Sequence, residues 1–554
     1  MENPSVRREG TAARMNPIQW VLLVTVGLLT GAVAGGQMID NTQALNPINA
    51  GINKSLIEEI GAGRGDINTP GSSLYIIKRD PFRSVRRGRQ LFQRKFTRTQ
   101  GQGPGVQDGV GNIASNIAIG AGVVDSCAGC HARPRGSAGF GGDVVTRPDS
   151  RNTPHLFGLG LREMLADEMT SDLRAIRSQA VTSAKQSGRP VTLALATKGV
   201  SFGSITANPD GSVNKSQVQG VDTDLRIRPF FAQGGTISIR EFIVGALNAE
   251  MGLQALDPDL ATASAGGRVV TPSGMVLDGS LDAVEAPPGP DQITNTYEID
   301  VALVDHLEFY LLNYFKPGTY QQDAKAQHGL KVFHQLGCSS CHVQNLTINR
   351  DRRVADINTV YDPVNGIFNT LFATAVQLNH TMNDGNPVPL KLPNLQPFVV
   401  KNIFTDFKRH DLGPNFHERN WDGSYQTLFL TRPLWGAGSL GSIGHDGRSI
   451  SLTEVILRHG GEAQAARDAF ANMYSQNQQS GDSSDASMYS QNHQSGDLGD
   501  ASDLLHFLST LVLFPPDDTA STLDAGNRSD PNYPQSGHGS IKLTVLFNNP
   551  SDKE

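Results

Sequence analysis

The chain has 554 residues, enough for more than one core, and its 38% apolar and 18% charged content is ordinary for a water-soluble protein. With 54 acidic against 47 basic side chains it carries a net charge of −7 and shows no basic stripe, which argues against nucleic acid as a partner. The 59 glycines and 30 prolines predict many loops and modest regular structure.

At the N-terminus Arg7, Arg8 and Arg14 precede an apolar run from Ile18 to Ala34, and Ala32-Val33-Ala34 supplies the small residues of a signal-peptidase site. A signal peptide over residues 1–34 and a periplasmic location are expected. The run is also nearly long enough to span a bilayer, so an uncleaved signal would serve as a membrane anchor. Residues 35–78 read as an extended lead-in. From Pro81, PFRSVRRGRQLFQRKF predicts a helix that contains Gly88-Arg89-Gln90-Leu91-Phe92.

Next comes Ser126-Cys127-Ala128-Gly129-Cys130-His131, the attachment signature of a c-type haem. The spacing lets two thiols bond the two vinyl groups of one porphyrin, and the adjacent histidine reaches the iron. The pattern recurs at Cys338-Ser339-Ser340-Cys341-His342, and the two motifs use all four cysteines. A zinc site would need both cysteine pairs in one tetrahedron, and a redox dithiol would leave each histidine to chance. Two covalently bound c-type haems are therefore expected, held by Cys127, Cys130, Cys338 and Cys341, with His131 and His342 as iron ligands. Haem attachment in bacteria takes place outside the cytoplasmic membrane, in agreement with export.

Two echoes frame these motifs. Gly88-Arg89-Gln90-Leu91-Phe92 returns as Gly329-Leu330-Lys331-Val332-Phe333, and Thr153-Pro154-His155-Leu156-Phe157-Gly158-Leu159-Gly160 as Thr431-Arg432-Pro433-Leu434-Trp435-Gly436-Ala437-Gly438. Such repetition means two related domains with one haem in each: 35–316, then 317–516, then a tail over 517–554. The expected fold class is mainly α, two cytochrome c-like haem domains with a small β insertion in the first. The insertion, at about 190–228, is VTLALATKGVSFGSITANPDGSVN, which alternates around an Asp210-Gly211 turn. Helices are expected over 228–253, 299–315 and 503–514, with the domain boundary at Phe315-Lys316-Pro317-Gly318. The tandem MYSQNQQSGD and MYSQNHQSGD segments read as a solvated low-complexity loop.

What faces each iron opposite its motif histidine decides between carrier and catalyst. Leu452, Val455, Ile456 and His459 fall on one helical face, which makes His459 either an iron ligand of the second haem or a core histidine bonded to a carbonyl. In SIREFIVGALNAEMG (238–252), Ile239, Phe242, Ile243, Ala246, Leu247 and Glu250 share a face. A carboxylate closing an apolar face has a raised pKa and suits proton transfer near neutral pH. Alternatively, Glu250 is a surface or salt-bridged residue at the helix end. Met251 is a possible sulfur ligand.

SCAGCHARP with Gly141-Gly142, RNTPHLFGLG, KGVSFGSITANPDG, GVDTDLRIRPF, SIREF…EMG, GCSSCH, TDFKRHDLG, RPLWGAG and GHDGRSISLTEVILRHGGEA follow one another over most of residues 80–515. Together they resemble the bacterial di-haem cytochrome c peroxidase/MauG superfamily, and within it the branch of di-haem oxidoreductases, some labelled thiol oxidoreductases. The resemblance implies an enzyme whose N-terminal haem handles peroxide or another small oxidant. The C-terminal haem would relay electrons from a small electron-donor protein or a quinol-linked cytochrome. It implies further that Glu250, in Glu250-Met251-Gly252, assists O–O cleavage; that His445 lies by the cofactor on the interhaem path; and that His459 completes bis-His ligation of the second haem. A calcium ion between the domains is also implied. The chain departs from the pattern at Phe230-Phe231-Ala232-Gln233-Gly234, which lacks the peroxidases' Trp, and at Leu412, which replaces a common Met. His410 reads as structural or propionate-bonding, and His155 as a candidate removable ligand of the first haem. The alternatives are a non-catalytic di-haem electron-transfer cytochrome and a MauG-like oxidation of a protein side chain or thiol.

Overall fold

The computed structural model describes residues 55–103, 124–131, 142–143, 149, 151–291, 295–314, 322–361, 371–420, 422–438, 442–479 and 499–512. The leader, the boundary at Phe315–Gly318, the tail and most of the tandem repeat lie outside the described residues. All those described belong to one unit, Ser55–Asp552. Its principal helices are α1 (Pro81–Gln93), α2 (Cys127–His131), α3 (Leu159–Ser187), α4 (Ile239–Met251), α5 (Val301–Asn313), α6 (Ala324–Gln335), α7 (Leu452–Arg458), α8 (Gln464–Gln479) and α9 (Asp500–Ser509). No helix among the described residues is long and apolar enough to cross a membrane.

Local chemistry fixes the helix ends. Pro81 opens α1, where its missing amide hydrogen would have had no partner anyway. Ser238 and Glu241 close a capping box on α4, and Gly252 ends that helix in the left-handed conformation at φ 68°. Asp300 and Asp323 cap α5 and α6 through their carboxylates.

Helix α5 is buried along its whole length. Helix α1 packs on it so closely that a Cβ on Gly88 would stand 2.2 Å from the His306 carbonyl oxygen. Its echo does the same on α9, where a Cβ on Gly329 would stand 1.9 Å from the Asp503 carbonyl oxygen. The second echo repeats the device: Gly160 presses on the Leu312 carbonyl of α5, and Gly438 on the Ser509 carbonyl of α9. The duplicated motifs thus mark equivalent backbone approaches, which only glycine permits. A large core gathers Val85, Leu91, Phe92, Leu156, Phe157 and the inner face of α3 and α5; a smaller one gathers Val332, Phe333, Phe404, Phe507 and Leu508.

The expectation of a mainly α protein is overturned. Helix takes 39% of the described residues and strand 16%, and the strands form eight small sheets. The insertion is present as the antiparallel pair Val191–Thr197 and Val200–Ala207 with a short third strand, Val213–Asn214. Its tight turn is Lys198-Gly199, both at positive φ (50° and 82°), as a two-residue hairpin of this hand requires. Asp210-Gly211, the stronger turn signal in the sequence, makes the second and looser connection. Most strands, however, lie between Leu346 and Leu430 in the C-terminal half. They are two to seven residues long, as in Ala355–Tyr361 paired with Leu371–Gln377 or Arg409–Asp411 paired with Leu428–Leu430. Segments this short, broken by Pro, Gly and Asn, show too few alternations to register as strands in a sequence.

Candidate functional site

Each Cys-x-x-Cys-His segment is short, and each histidine is fixed by one backbone carbonyl. His131, at the end of α2, donates from Nδ1 to the Pro154 oxygen at 2.9 Å. His342 donates from Nδ1 to the Phe404 oxygen at 3.0 Å. A carbonyl only accepts, so the hydrogen sits on Nδ1 and the lone pair on Nε2, the tautomer a metal needs. Burial pushes both rings down to about 4, which keeps them neutral.

His459 is in the same state. Helix α7 stops at Arg458, so His459 is its cap residue, in extended backbone rather than on the helical face. From there Nδ1 donates to the Val455 oxygen at 2.7 Å, using a last-turn carbonyl that would otherwise lack a partner. Burial lowers its pKa as well. It lies close enough to His342 for its charge to be felt there. The carbonyl bond expected of a core histidine is therefore present, and it leaves the lone pair on Nε2.

Around His131 the relevant neighbours come from α4. The ring of Phe242 lies 6.4 Å from that of His131, edge to face. Two turns on, the Glu250 carbonyl accepts from Val124 N at 3.4 Å, just ahead of the cysteine motif. Phe242, Ala246 and Glu250 form the half-buried flank of α4, while Ile243, Leu247 and Met251 face the core. Met251 is thus core packing, and Glu250 lies on the flank turned to the haem motif.

His445 is buried, with its ring stacked on Phe429 at 4.0 Å and Nε2 3.1 Å from Glu418. Glu418 is also bonded by Arg151 at 2.5 Å, and the His445 carbonyl accepts from Asn152 N. The group ties residues 151–152 to the loops at 418 and 445. Burial works against ionisation of Glu418, yet His445 and Arg151 hold its carboxyl down at about 2. Because an unfolded Glu titrates near about 4.3, the unfolded chain takes up the proton first as pH falls. This stabilisation is complete above about pH 4.5 and lost on descending to about pH 2. Glu418→Gln should melt below wild type at neutral pH and converge on it toward pH 2; a gap in melting temperature that stays constant with pH would contradict the assignment.

Sequence reasoning missed two cations and an indole. Arg162 and Arg432 are half-buried, and among the described residues no carboxylate pairs with either. Burial, with Arg432 beside Arg162 and Arg151 beside Arg432, pushes them down to about 9 and about 10. Arg162 reaches the Pro229 carbonyl with one nitrogen and packs over Phe230, while its Nε is buried without a partner. The indole nitrogen of Trp435 and Nδ1 of His155 are likewise buried and unpaired. Arg432 and Trp435 lie in the RPLWGAG segment that the sequence repeats, whereas Arg162, followed at once by Glu163, gave no such signal.

His155 Nε2 donates to the Trp435 oxygen at 3.0 Å, and Leu434 N donates to the Ile403 oxygen at 3.1 Å. A continuous line of covalent and hydrogen bonds therefore runs from His131 through Pro154, His155, Trp435, Leu434, Ile403 and Phe404 to His342. His155 follows Pro154, whose carbonyl supports His131; its Nε2 is bonded to Trp435 and its Nδ1 has no hydrogen-bond partner among the described residues.

Residues 393–481 match the family described as Di-haem oxidoreductase, putative peroxidase. That stretch contains His410, Trp435, His445 and His459, and it bears out the resemblance drawn from its motifs. No curated protein and no solved structure matches the chain. The family's haems imply groups with two carboxylates each, and the residues around His131 fit such a group. Arg162 and Arg432, half-buried and without an ion pair among the described residues, can take propionate carboxylates. The three imidazoles, each holding its hydrogen on Nδ1, offer nitrogen lone pairs to iron.

Proposed function

We propose that this chain is an exported, periplasmic di-haem c-type oxidoreductase that reduces peroxide, with the N-terminal site catalytic and the C-terminal site a relay. One observation supports the reading. Two Nδ1-anchored histidines, His342 and His459, lie within electrostatic reach of each other, whereas among the described residues no second histidine of that kind accompanies His131. Two fixed ligands suit electron transfer, and one suits chemistry on a small molecule.

Haem iron, when bound, supplies the electrons and an open coordination position for peroxide. Cys127, Cys130, Cys338 and Cys341 would hold the two macrocycles covalently, and His131 and His342 would ligate through Nε2, the nitrogen left free by the carbonyl bond. Arg162 and Arg432 would bind the propionates of the first and exclude mobile counterions. Glu250 would carry a proton from the attacking to the departing peroxide oxygen, a shuttle that a half-buried carboxyl can perform near neutral pH. The net reaction takes two electrons and two protons per peroxide and releases two waters, so an external one-electron donor such as a small cytochrome is required. His445 would act indirectly, by fixing the loops at 151–152 and 418 beside the first site.

The test is the oxidised, purified full chain. Two haems should stay with the polypeptide through acid–acetone extraction, and electron paramagnetic resonance should show one high-spin and one bis-His low-spin ferric centre. Two low-spin centres in every redox state, with no reaction with peroxide, would make it an electron-transfer cytochrome instead.

A further inference from the structure

His410 lies in the short strand Arg409–Asp411 and is almost fully buried. Its Nε2 is 2.9 Å from Asp406 and its Nδ1 2.7 Å from Glu462. Both partners are carboxylates, which only accept, so both ring nitrogens carry hydrogens and the ring is an imidazolium. These two anchors belong to different loops. Asp406 is two residues past Phe404, whose carbonyl fixes His342, and Thr405 N donates to the Val343 oxygen in the same loop. Glu462 is three residues past His459.

The second loop is laid flat on the strand by further bonds. Asp411 N donates to Glu462 at 3.0 Å and Gly460 N to the Leu412 oxygen at 2.9 Å. A Cβ on Gly461 would stand 2.2 Å from the Asp411 carbonyl oxygen. Cys341, Asp406 and His410 also place potential metal-binding atoms within 4.8 Å of one another. With both imidazole nitrogens taken by carboxylates and Cys341 in the attachment motif, that trio is a hydrogen-bonded knot rather than a metal site.

We propose that His410 is a positioning residue: a charged pin that clamps the loop bearing His459 to the loop supporting His342, and so holds His459 at the second iron. This rests on the reading that His459 is an iron ligand. The clamp acts on how readily that ligand leaves, not on whether it can bind.

Carbon monoxide reports this directly in the dithionite-reduced full-length holoprotein. Binding at the first site should be fast, and binding at the second should wait for His459 to leave, giving a slow phase. Loss of a charge-assisted hydrogen bond should speed that slow phase by about tenfold to a hundredfold in His410→Gln and Glu462→Gln. Glu462 is exposed, so its variant tests the clamp even if His410→Gln fails to fold. Slow phases at the wild-type rate in the folded variants would overturn the clamp while leaving the ligation intact. A wild type without a slow phase, indistinguishable from His459→Ala, would instead remove the ligation reading and the clamp with it.

Discussion

Glu250→Gln is expected to lower peroxide turnover by about 10²–10⁴-fold, the usual contribution of a positioned proton carrier. Gln keeps the volume and most hydrogen bonds of Glu but cannot shuttle a proton, so the visible spectra of both haems should match wild type. The size of the effect follows from placement. Helix α4 is fixed at both ends, by the Ser238–Glu241 capping box and by Gly252. On its flank the Phe242 ring lies against His131, and the Glu250 backbone carbonyl accepts from Val124 N just ahead of the cysteine motif. Steady-state reduction of hydrogen peroxide with an artificial one-electron donor measures it. Turnover within a few-fold of wild type would show that the proton travels elsewhere.

The second large effect concerns what holds α4 in place. Arg240 is completely buried and lies 2.7 Å from Asp257, 3.0 Å from Asp305 and 2.8 Å from Glu308. Arg64 joins the group from the N-terminal side, at 2.7 Å from both Asp259 and Asp305. Arg240→Met would leave three buried carboxylates without their central cation, which should destabilise the fold by about 3–5 kcal/mol. Burial already lifts Glu308 to about 7 in spite of Arg240. In the variant the orphaned carboxylates would take up protons, so the loss should be larger at pH 8 than at pH 6. Urea unfolding at the two pH values checks both magnitude and sign. An equal or smaller loss at pH 8 would mean that the acidic groups find other partners.

The two Cys-x-x-Cys-His motifs are legible because they are contiguous, and a contiguous pattern survives in a sequence. The helices α1, α4, α5 and α9 were legible for a similar reason: their periodic apolar faces and end signals are local. The paired glycines were visible as echoes, though not what they press against. Backbone partners were not legible at all. Nothing in the letters Pro154 or Phe404 says that their carbonyls support His131 and His342, since every residue has a carbonyl. Arg162 and Arg432 meet only through tertiary folding, and among the described residues neither forms an ion pair. His459 reads as helical in the sequence but is the residue that caps the helix, because an apolar stripe extends by one residue without showing where the helix lets go. The short strands of the C-terminal half fell below the length at which alternation can be told from chance.

The bond line from His131 to His342 means that neither imidazole can be adjusted in isolation. The donor strength of each ring depends on the carbonyl it leans on. Those two carbonyls belong to loops locked together through His155, Trp435 and Leu434. A movement of the turn at Pro154 that weakens one ring's support must drag on the loop at Phe404 and alter the other's. In a molecule geared this way the two imidazoles form one mechanical unit, and a substitution at either turn should be felt at both rings.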